Sequence, residues 1–264
     1  MTTIAIPRRL LRSEWIKLRS LRSTCLIVGL SVAFGLGIGL LDLSSIAHNW
    51  AEFSQADKAA FDPVSDSFSG FLYAELAFGA LGVLAITSEY VTGTIRPTFT
   101  AVPRRGLLYA AKTFVLAVLA LVVCEICAFA SFGLGQVVLS GQQLNVHLTD
   151  PHVFRAVTCA GIDMAVVTMV GFGLGAIIRH TAGAITVMVG LVFLAWPVAR
   201  AVESFSYVPD RWLIVNAADA LVATHPPTGP NAARTPSLAM ACLELGVYLI
   251  VLLGVGAWRA TRDA

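Results

Sequence analysis

The sequence predicts an all-α polytopic membrane protein with six transmembrane helices and both termini in the cytoplasm. Of its 264 residues, 57% are apolar and only 13% are charged, which is about half the charged fraction of an ordinary soluble domain. Several uncharged runs reach the roughly 20 residues that a helix needs to cross a bilayer. These runs are continuously apolar rather than alternating, so barrel strands are not expected.

Six apolar runs are long enough to span a membrane. The first has a longer apolar core than a signal peptide and no small-residue cleavage pattern after it, so we expect it to be retained. The third exceeds the bilayer thickness and should tilt or extend into water. No internal repeat or low-complexity tract occurs, which predicts one membrane domain over residues 1–264. The predicted spans are residues 24–41, 68–87, 112–139, 156–178, 181–199 and 238–258.

The distribution of basic residues predicts the orientation, because cytoplasmic loops are enriched in Lys and Arg. With six spans, one side holds both termini, the loop 88–111 and the short link at Arg179 and His180. The opposite side is rich in acidic residues and is predicted to be external. The predicted cytoplasmic side carries Arg8, Arg9, Arg12, Lys17, Arg19, Arg22, Arg96, Arg104, Arg105, Arg179, Arg259 and Arg262.

The first 23 residues are predicted to form a cytoplasmic amphipathic helix on the membrane surface. Leu11, Trp15, Leu18 and Leu21 recur at helical spacing, and most of the nearby arginines lie off that stripe. A basic helix with such a stripe and a tryptophan is typical of an interfacial helix. A plain basic flank would explain the charges but not the spacing of the apolar residues.

Two further segments carry structural predictions. Residues 201–237 should form an external loop, in which residues 211–223 are too short to span and instead predict an interfacial or re-entrant helix. The link at Arg179 and His180 leaves room only for a tight turn, so the fourth and fifth spans should be antiparallel neighbours.

Pairs of glycines four residues apart occur inside two of the spans. This spacing allows helix backbones to approach closely in a membrane, so we interpret both pairs as packing positions. The pairs are Gly35 with Gly39, and Gly171 with Gly175.

Four carboxylic acids lie within predicted spans, namely Glu75, Glu125, Asp163 and Glu244. Each would cost roughly 2.5–3.5 kcal/mol at a helix centre if charged. They indicate a translocation path or a proton relay. Alternatively, they lie near a water-exposed span end, or are neutral acids hydrogen-bonded between helices. Glu125 is the deepest and is the best candidate for the path.

No catalytic, metal or cofactor site is predicted. The five histidines form no H-E-x-x-H pattern, and the chain has neither G-x-S-x-G nor a phosphate-binding G-x-x-x-x-G-K-[ST] loop. Cys124 and Cys127 form a C-x-x-C inside a span, which we interpret as small apolar residues packed between helices. Any ATP that drives this protein must therefore bind to another polypeptide.

The segment 88–111 is polar and basic between two very apolar runs. Glu89, Gly93 and Arg96 fall at i, i+4 and i+7, which places them on one face of a short helix continuing the second span. Pro97 disfavours helix at the residue before it, and Pro103 begins the return to the membrane. Such a protruding element is suited to docking a cytoplasmic partner.

Two stretches of the sequence resemble a known family. SEYVTGTIRPTFTAVPRRGLLYAAK (residues 88–112) is similar to the first cytoplasmic loop of type-2 ABC exporter permeases, many of which show S-E-x-x-x-G-T-I-R…P-x-R…A-K. SEWIKLRSLRST (residues 13–24) resembles the start of these proteins, particularly in actinobacteria. The six-span layout agrees with the family over the whole chain.

The resemblance implies a non-catalytic permease subunit in a bacterial plasma membrane. Glu89 would begin a coupling helix that rests on a P-loop ATPase subunit, Gly93 would permit close backbone approach, and Arg96 would contact that subunit or the N-terminal helix. Pro103, Arg104 and Arg105 would anchor the return to the membrane.

ATP and Mg would bind the partner subunit and not this chain. A second permease, identical or different, would complete the path, and residues 201–237 would form an external lid. The apolar spans favour a hydrophobic or amphipathic cargo such as a drug, an antibiotic or a lipid.

Two other functions fit the sequence. A proton-coupled secondary transporter would use Glu125 and the other intramembrane acids, although paired inverted repeats and broken midplane helices are not evident. A membrane scaffold or sensor would dock a cytoplasmic protein and transport nothing. An intramembrane enzyme is the weakest reading because no nucleophile–base pair is present, and no feature suggests a nucleic-acid partner.

Overall fold

The computed structural model describes residues 8–20, 22–91, 93, 105–202, 212–225 and 235–262. Within these ranges the chain is mostly helical and contains no strand, which confirms the all-α prediction. Five of the described helices are long and apolar enough to cross a membrane, so the chain is a membrane protein. They are Gly29–Glu52, Phe71–Val91, Arg105–Ser140, Val153–Ile178 and Leu238–Arg262.

The described helices follow one another along the chain. They are α1 (Arg8–Ser20), α2 (Arg22–Asn49), a 3-10 turn (Trp50–Glu52), α3 (Gln55–Ala60), α4 (Pro63–Asp66), α5 (Phe71–Val91), α6 (Arg105–Ser140), α7 (Val153–Ile178), α8 (Thr181–Val189), a π-helical segment (Gly190–Leu194), α9 (Ala195–Val202), α10 (Ile214–Val222) and α11 (Leu238–Arg262).

The region predicted as the fifth span is divided into three helical segments. Thr181–Leu194 is apolar but shorter than the other candidate spans. It ends in the π-helical segment, where the amide of Ala195 donates to the carbonyl of Gly190. Pro197 follows; its ring would clash with the carbonyl four residues earlier in a regular α-helix, and a locally wider turn relieves that clash. The fifth predicted span, residues 181–199, therefore stays a prediction.

Helix α7 lies at the centre of the bundle. It packs against α5, α6, α8, α10 and α11, and it is buried along most of its length. Glycines allow α5 and α7 to touch through their backbones: a methyl group on Gly82 would overlap the carbonyl oxygen of Thr168, and one on Gly171 would overlap that of Gly79. Gly35 of α2 likewise lies against Ala74 of α5. The predicted role of Gly35 and Gly171 in close helix packing is confirmed.

The turn between α7 and α8 consists of Arg179 and His180, as predicted. Arg179 adopts φ 61°, a left-handed conformation that ends α7. The imidazole Nδ1 of His180 accepts a hydrogen bond from the amide of Gly183 at 3.2 Å and so caps the start of α8. The two helices are neighbours in the bundle.

A short helix lies where residues 211–223 predicted one. Helix α10 packs on α7 and α11. The guanidinium of Arg155 in α7 donates to the carbonyls of Leu221 at 3.1 Å and Ala223 at 2.6 Å, which satisfies the C-terminal end of α10. Just beyond, Asp62 accepts hydrogen bonds from the amide and hydroxyl of Thr224. These contacts hold α10 against one end of the bundle.

Candidate functional site

Four charged side chains meet at the end of the bundle where α5 ends and α6 begins, and three of them are largely buried. Glu14 of α1 is 3% exposed and Lys112 of α6 is 9% exposed. The Nζ atom of Lys112 donates to Glu14 Oε2 at 2.6 Å and also to Glu89 Oε1. Lys17 donates to Glu14 Oε1 at 2.9 Å and to Glu89 Oε1 at 3.2 Å. We call Glu14, Lys17, Glu89 and Lys112 the ion-pair network.

The charges of the network balance, since two carboxylates meet two ammonium groups. Buried charges are tolerated when they are paired and hydrogen-bonded. Burial by itself lowers the pKa of Lys17. Its hydrogen bonds and charge interactions with Glu14 and Glu89 together outweigh this effect, so the pKa is raised above its usual value. Lys17 therefore stays charged at neutral pH and holds both carboxylates.

The network joins three elements that are distant in the sequence. Residues 92–104 connect the end of α5 to the start of α6, and Glu89 and Lys112 stand near the two ends of that connection. Glu89 binds Lys17 of α1, Lys112 binds Glu14 of α1, and Glu89 and Lys112 also bind each other. The flanks of the connection are thus tied to each other and to α1.

Glu14, Lys17 and Lys112 were not predicted as site residues. Glu14 and Lys17 are three residues apart on α1, which was predicted as an interfacial helix from its apolar stripe and its arginines. Lys112 was read as the start of a span. The sequence did contain a signal for this site. Each of the two stretches that resemble the exporter permeases contains one glutamate and one lysine, so the glutamate of one stretch can pair with the lysine of the other.

Three of the four predicted interfacial residues lie on α1, and they differ in exposure. Trp15 is 44% exposed. Leu11 and Leu18 are half-buried, and Leu18 packs against a cluster that includes Ile86 and Tyr109. Leu21 lies outside the described residues.

The predicted coupling residues divide into described and undescribed positions. The side chain of Glu89 faces the ion-pair network rather than solvent. Gly93 adopts φ 69° and is exposed, with nothing within 4 Å of where a Cβ would stand. Arg105 is half-buried at the first position of α6. Arg96, Pro103 and Arg104 lie outside the described residues.

Of the four intramembrane acids, the structure brings two together. Glu75 of α5 and Asp163 of α7 are 9% and 2% exposed, and their carboxyl groups are within hydrogen-bonding reach of each other. Glu125 is elsewhere, half-buried against Gly161. Glu244 is buried on α11. The residue predicted as the best candidate for a path is therefore not part of the pair.

The pair forms the inner wall of a cavity of about 270 Å³. The cavity is lined by α4, α5, α7 and α10, at the opposite end of the bundle from the ion-pair network. Two carboxyls that the sequence analysis did not select also line it, Asp66 beside α5 and Asp219 on α10. We call this the acidic cavity. Its lining residues are Ser65, Asp66, Phe68, Ser69, Phe71, Leu72, Glu75, Ala160, Asp163, Val215, Ala218, Asp219 and Val222.

The environment of Asp66 differs from that of an ordinary surface carboxylate. Burial raises the pKa of Asp66 from its usual 3.8 to about 6, and the nearby carboxylates of Asp62 and Asp42 act in the same direction. A hydrogen bond at the backbone of Asp62 opposes the rise. Asp66 therefore changes its charge near the acidic end of the physiological range.

In the described part of the chain, no three His, Cys, Asp or Glu side chains are grouped so that they could hold a metal ion. Cys124 and Cys127 are buried free thiols on α6, and burial is consistent with packing positions. The geometry thus provides an ion-pair network at one end of the bundle and an acidic cavity at the other.

No protein-family model matches this chain, and no curated protein shows significant similarity to it.

Proposed function

We propose that this chain is the permease subunit of an ATP-binding-cassette exporter in a bacterial plasma membrane. A P-loop ATPase subunit binds ATP and Mg and docks on residues 92–104. The resemblance of residues 13–24 and 88–112 to type-2 exporter permeases supports this proposal, and the ion-pair network is the observation that carries it.

The network gives the docking segment a mechanical connection to the bundle. Removing one partner from a buried ion pair costs about 3–5 kcal/mol, because the other charge is left without compensation. Glu14, Lys17, Glu89 and Lys112 should therefore stay together when the segment moves. A displacement of residues 92–104 then shifts α1, α5 and α6 as one unit.

The remaining parts of the proposal come from the resemblance and the charge pattern. Both termini and residues 92–104 face the cytoplasm. A second permease chain, identical or different, completes the transport path within the bilayer. The cargo is a hydrophobic or amphipathic compound, such as a drug, an antibiotic or a lipid, in keeping with the weakly charged spans.

The decisive experiment purifies the tagged chain from its native membrane in mild detergent and identifies the proteins that accompany it. We expect a stoichiometric P-loop ATPase with the wild-type chain. We expect roughly tenfold less with Lys112→Met, because the loss of a buried partner exceeds 1.4 kcal/mol. Lys58→Met removes a half-buried lysine at the opposite end of the bundle and should leave recovery unchanged.

Gly93 offers a second and milder variant. Its φ of 69° is accessible to Gly and tolerable for Asn, but strongly disfavoured for a β-branched residue. Gly93→Val should therefore weaken ATPase recovery and ATP-dependent export, while Gly93→Asn should retain both. Two outcomes would contradict the proposal that residues 92–104 dock an ATPase subunit. One is recovery of the chain alone in every detergent, and the other is full activity of Gly93→Val.

A proton-coupled transporter is the second candidate, and the buried pair of Glu75 and Asp163 is the observation that favours it. In that case transport would collapse with a protonophore, would need no ATPase subunit, and would be lost in Glu75→Gln. ATP-dependent export that survives the protonophore would exclude it.

A further inference from the structure

The acidic cavity has no part in the proposed coupling. It lies at the end of the bundle remote from the ion-pair network, and it is formed within one chain. Glu75 and Asp163 stand on its inner wall, Asp66 stands beside α5, and Asp219 is exposed at the α10 wall. Four carboxyl groups around one cavity favour a cation over an anion as its occupant.

Two buried polar atoms on the wall lack partners among the described residues. One is Oδ1 of Asp163, whose side chain is almost completely buried, and the other is Oγ of Ser69. Buried polar groups in native proteins are nearly always hydrogen-bonded, because an unpaired group loses its contact with water. A ligand in the cavity would supply the missing partners.

The rest of the wall is apolar and aromatic. Phe68 and Phe71 line the cavity with their ring centroids 4.9 Å apart. Aromatic faces attract cations, and the attraction is strongest for desolvated groups such as alkylated ammonium ions. Leu72, Val215 and Val222 complete a surface that suits methyl or methylene groups.

The form of the site distinguishes an organic cation from a metal ion. Metal ions bind where several carboxylate oxygens converge at 2.0–2.6 Å, and the described carboxyls do not converge in this way. The cavity volume of about 270 Å³ is close to the lower limit for small-molecule sites. An ammonium group with short apolar substituents matches both its charge and its size.

We propose that the acidic cavity binds an alkylated ammonium group through Glu75 and Asp163. The group belongs either to a free organic amine or to the headgroup of a lipid. The cation binds the two adjacent carboxyl groups, and its substituents lie against Phe68 and Phe71. The site does not depend on the proposed function, because neither the ion-pair network nor an ATPase subunit contributes to it.

The test uses the full chain in nanodiscs of phosphatidylglycerol, which has no ammonium headgroup. The probe is benzylammonium, whose N–H groups can donate hydrogen bonds, and benzyl alcohol is the neutral comparison with the same ring. Binding is measured by titration calorimetry for the wild type, Asp163→Asn, Glu75→Gln and the matched control Glu125→Gln. The control removes an intramembrane carboxyl that does not line the cavity.

We expect the wild type and Glu125→Gln to bind the cationic probe with the same Kd. Asp163→Asn and Glu75→Gln should bind at least about tenfold more weakly, equivalent to about 1.4 kcal/mol. Benzyl alcohol should bind none of them measurably. If the asparagine variant is not recovered folded, Ala218→Phe blocks the cavity without changing its charge and should also abolish binding.

A second set of nanodiscs distinguishes the two sources of the ammonium group. With phosphatidylethanolamine added, a lipid occupant would raise the apparent Kd of the probe in the wild type, because its ammonium headgroup would compete for the cavity. A free amine as the occupant would leave the Kd unchanged. The proposal is overturned if the probe does not bind at millimolar concentration, if benzyl alcohol binds equally well, or if Asp163→Asn, Glu75→Gln and Ala218→Phe all keep the wild-type Kd.

Discussion

At the scale of single residues, each charged side chain buried in this apolar protein needs a partner. Glu14 and Lys112 are buried because each has a partner of opposite charge within hydrogen-bond distance. Glu75 and Asp163 are buried beside each other instead. Acidic residues therefore meet basic partners at one end of the bundle and meet each other at the opposite end.

Asp66 gives a residue-scale prediction about pH. Its pKa of about 6 in the folded protein exceeds the usual 3.8, so the folded state binds this proton more tightly than the unfolded state does. Asp66 therefore lowers the free energy of unfolding as pH rises from about 4 to 6. Asp66→Asn removes that loss and should raise the thermal unfolding temperature at pH 7.5 more than at pH 4.

Thermal unfolding in detergent at both pH values measures the effect. Glu52→Gln changes an exposed acid nearby and should not alter the pH dependence. An equal shift of Asp66→Asn at both pH values would show that the carboxyl does not titrate in this range.

At the scale of elements, short helices acquire their position from contacts at their ends. Helix α10 has nine residues, and an isolated helix of that length is not stable in water. Its C-terminal end is held by Arg155, while Thr224 just beyond it is bound by Asp62. The wall that α10 contributes to the acidic cavity depends on these polar contacts as well as on packing.

Arg155 therefore provides an element-scale prediction. Hydrogen bonds to a charged group contribute about 1.5–3 kcal/mol, so Arg155→Gln should speed amide hydrogen exchange in α10 by at least about tenfold. Mass spectrometry of peptides covering Ile214–Val222 measures this. Arg259→Gln is the matched control, since Arg259 donates to the carbonyl of Ile177 at the other end of α7. Equal exchange in α10 for both variants would contradict the assigned role.

At the scale of the whole molecule, the arrangement of α8, the π-helical segment and α9 bears on the number of spans. Helix α8 starts at the end of α7 that leads away from the acidic cavity, while α10 lies beside that cavity. The 22 helical residues from Thr181 to Val202 would extend about 33 Å, comparable to the roughly 30 Å hydrocarbon core. We expect this region to cross the membrane, which brings the total to six spans.

Cysteine labelling in intact cells tests this orientation after the five native cysteines are replaced. With six spans, Trp212→Cys and the reference Lys58→Cys should react with a membrane-impermeant maleimide from outside. Arg262→Cys should react only after permeabilisation, because basic segments stay in the cytoplasm. A five-span protein would reverse the accessibility of Trp212→Cys and Arg262→Cys.

The sequence by itself determined the helical class, the placement of five candidate spans, the two-residue turn at Arg179 and the glycine contacts of Gly35 and Gly171. These features depend on local properties, namely apolar run length, backbone hydrogen bonding within a helix and the absence of a side chain. Periodicity also indicated a helix within residues 211–223, where α10 lies.

Only the tertiary structure decided which charged groups meet. Glu14 and Lys112 are 98 positions apart in the sequence, and no local pattern shows that α1 lies against α6. Depth within a span favoured Glu125, but the rotation of α5 and α7 about their axes placed Glu75 against Asp163 instead. Helix packing sets that rotation, and packing depends on surfaces from distant parts of the chain.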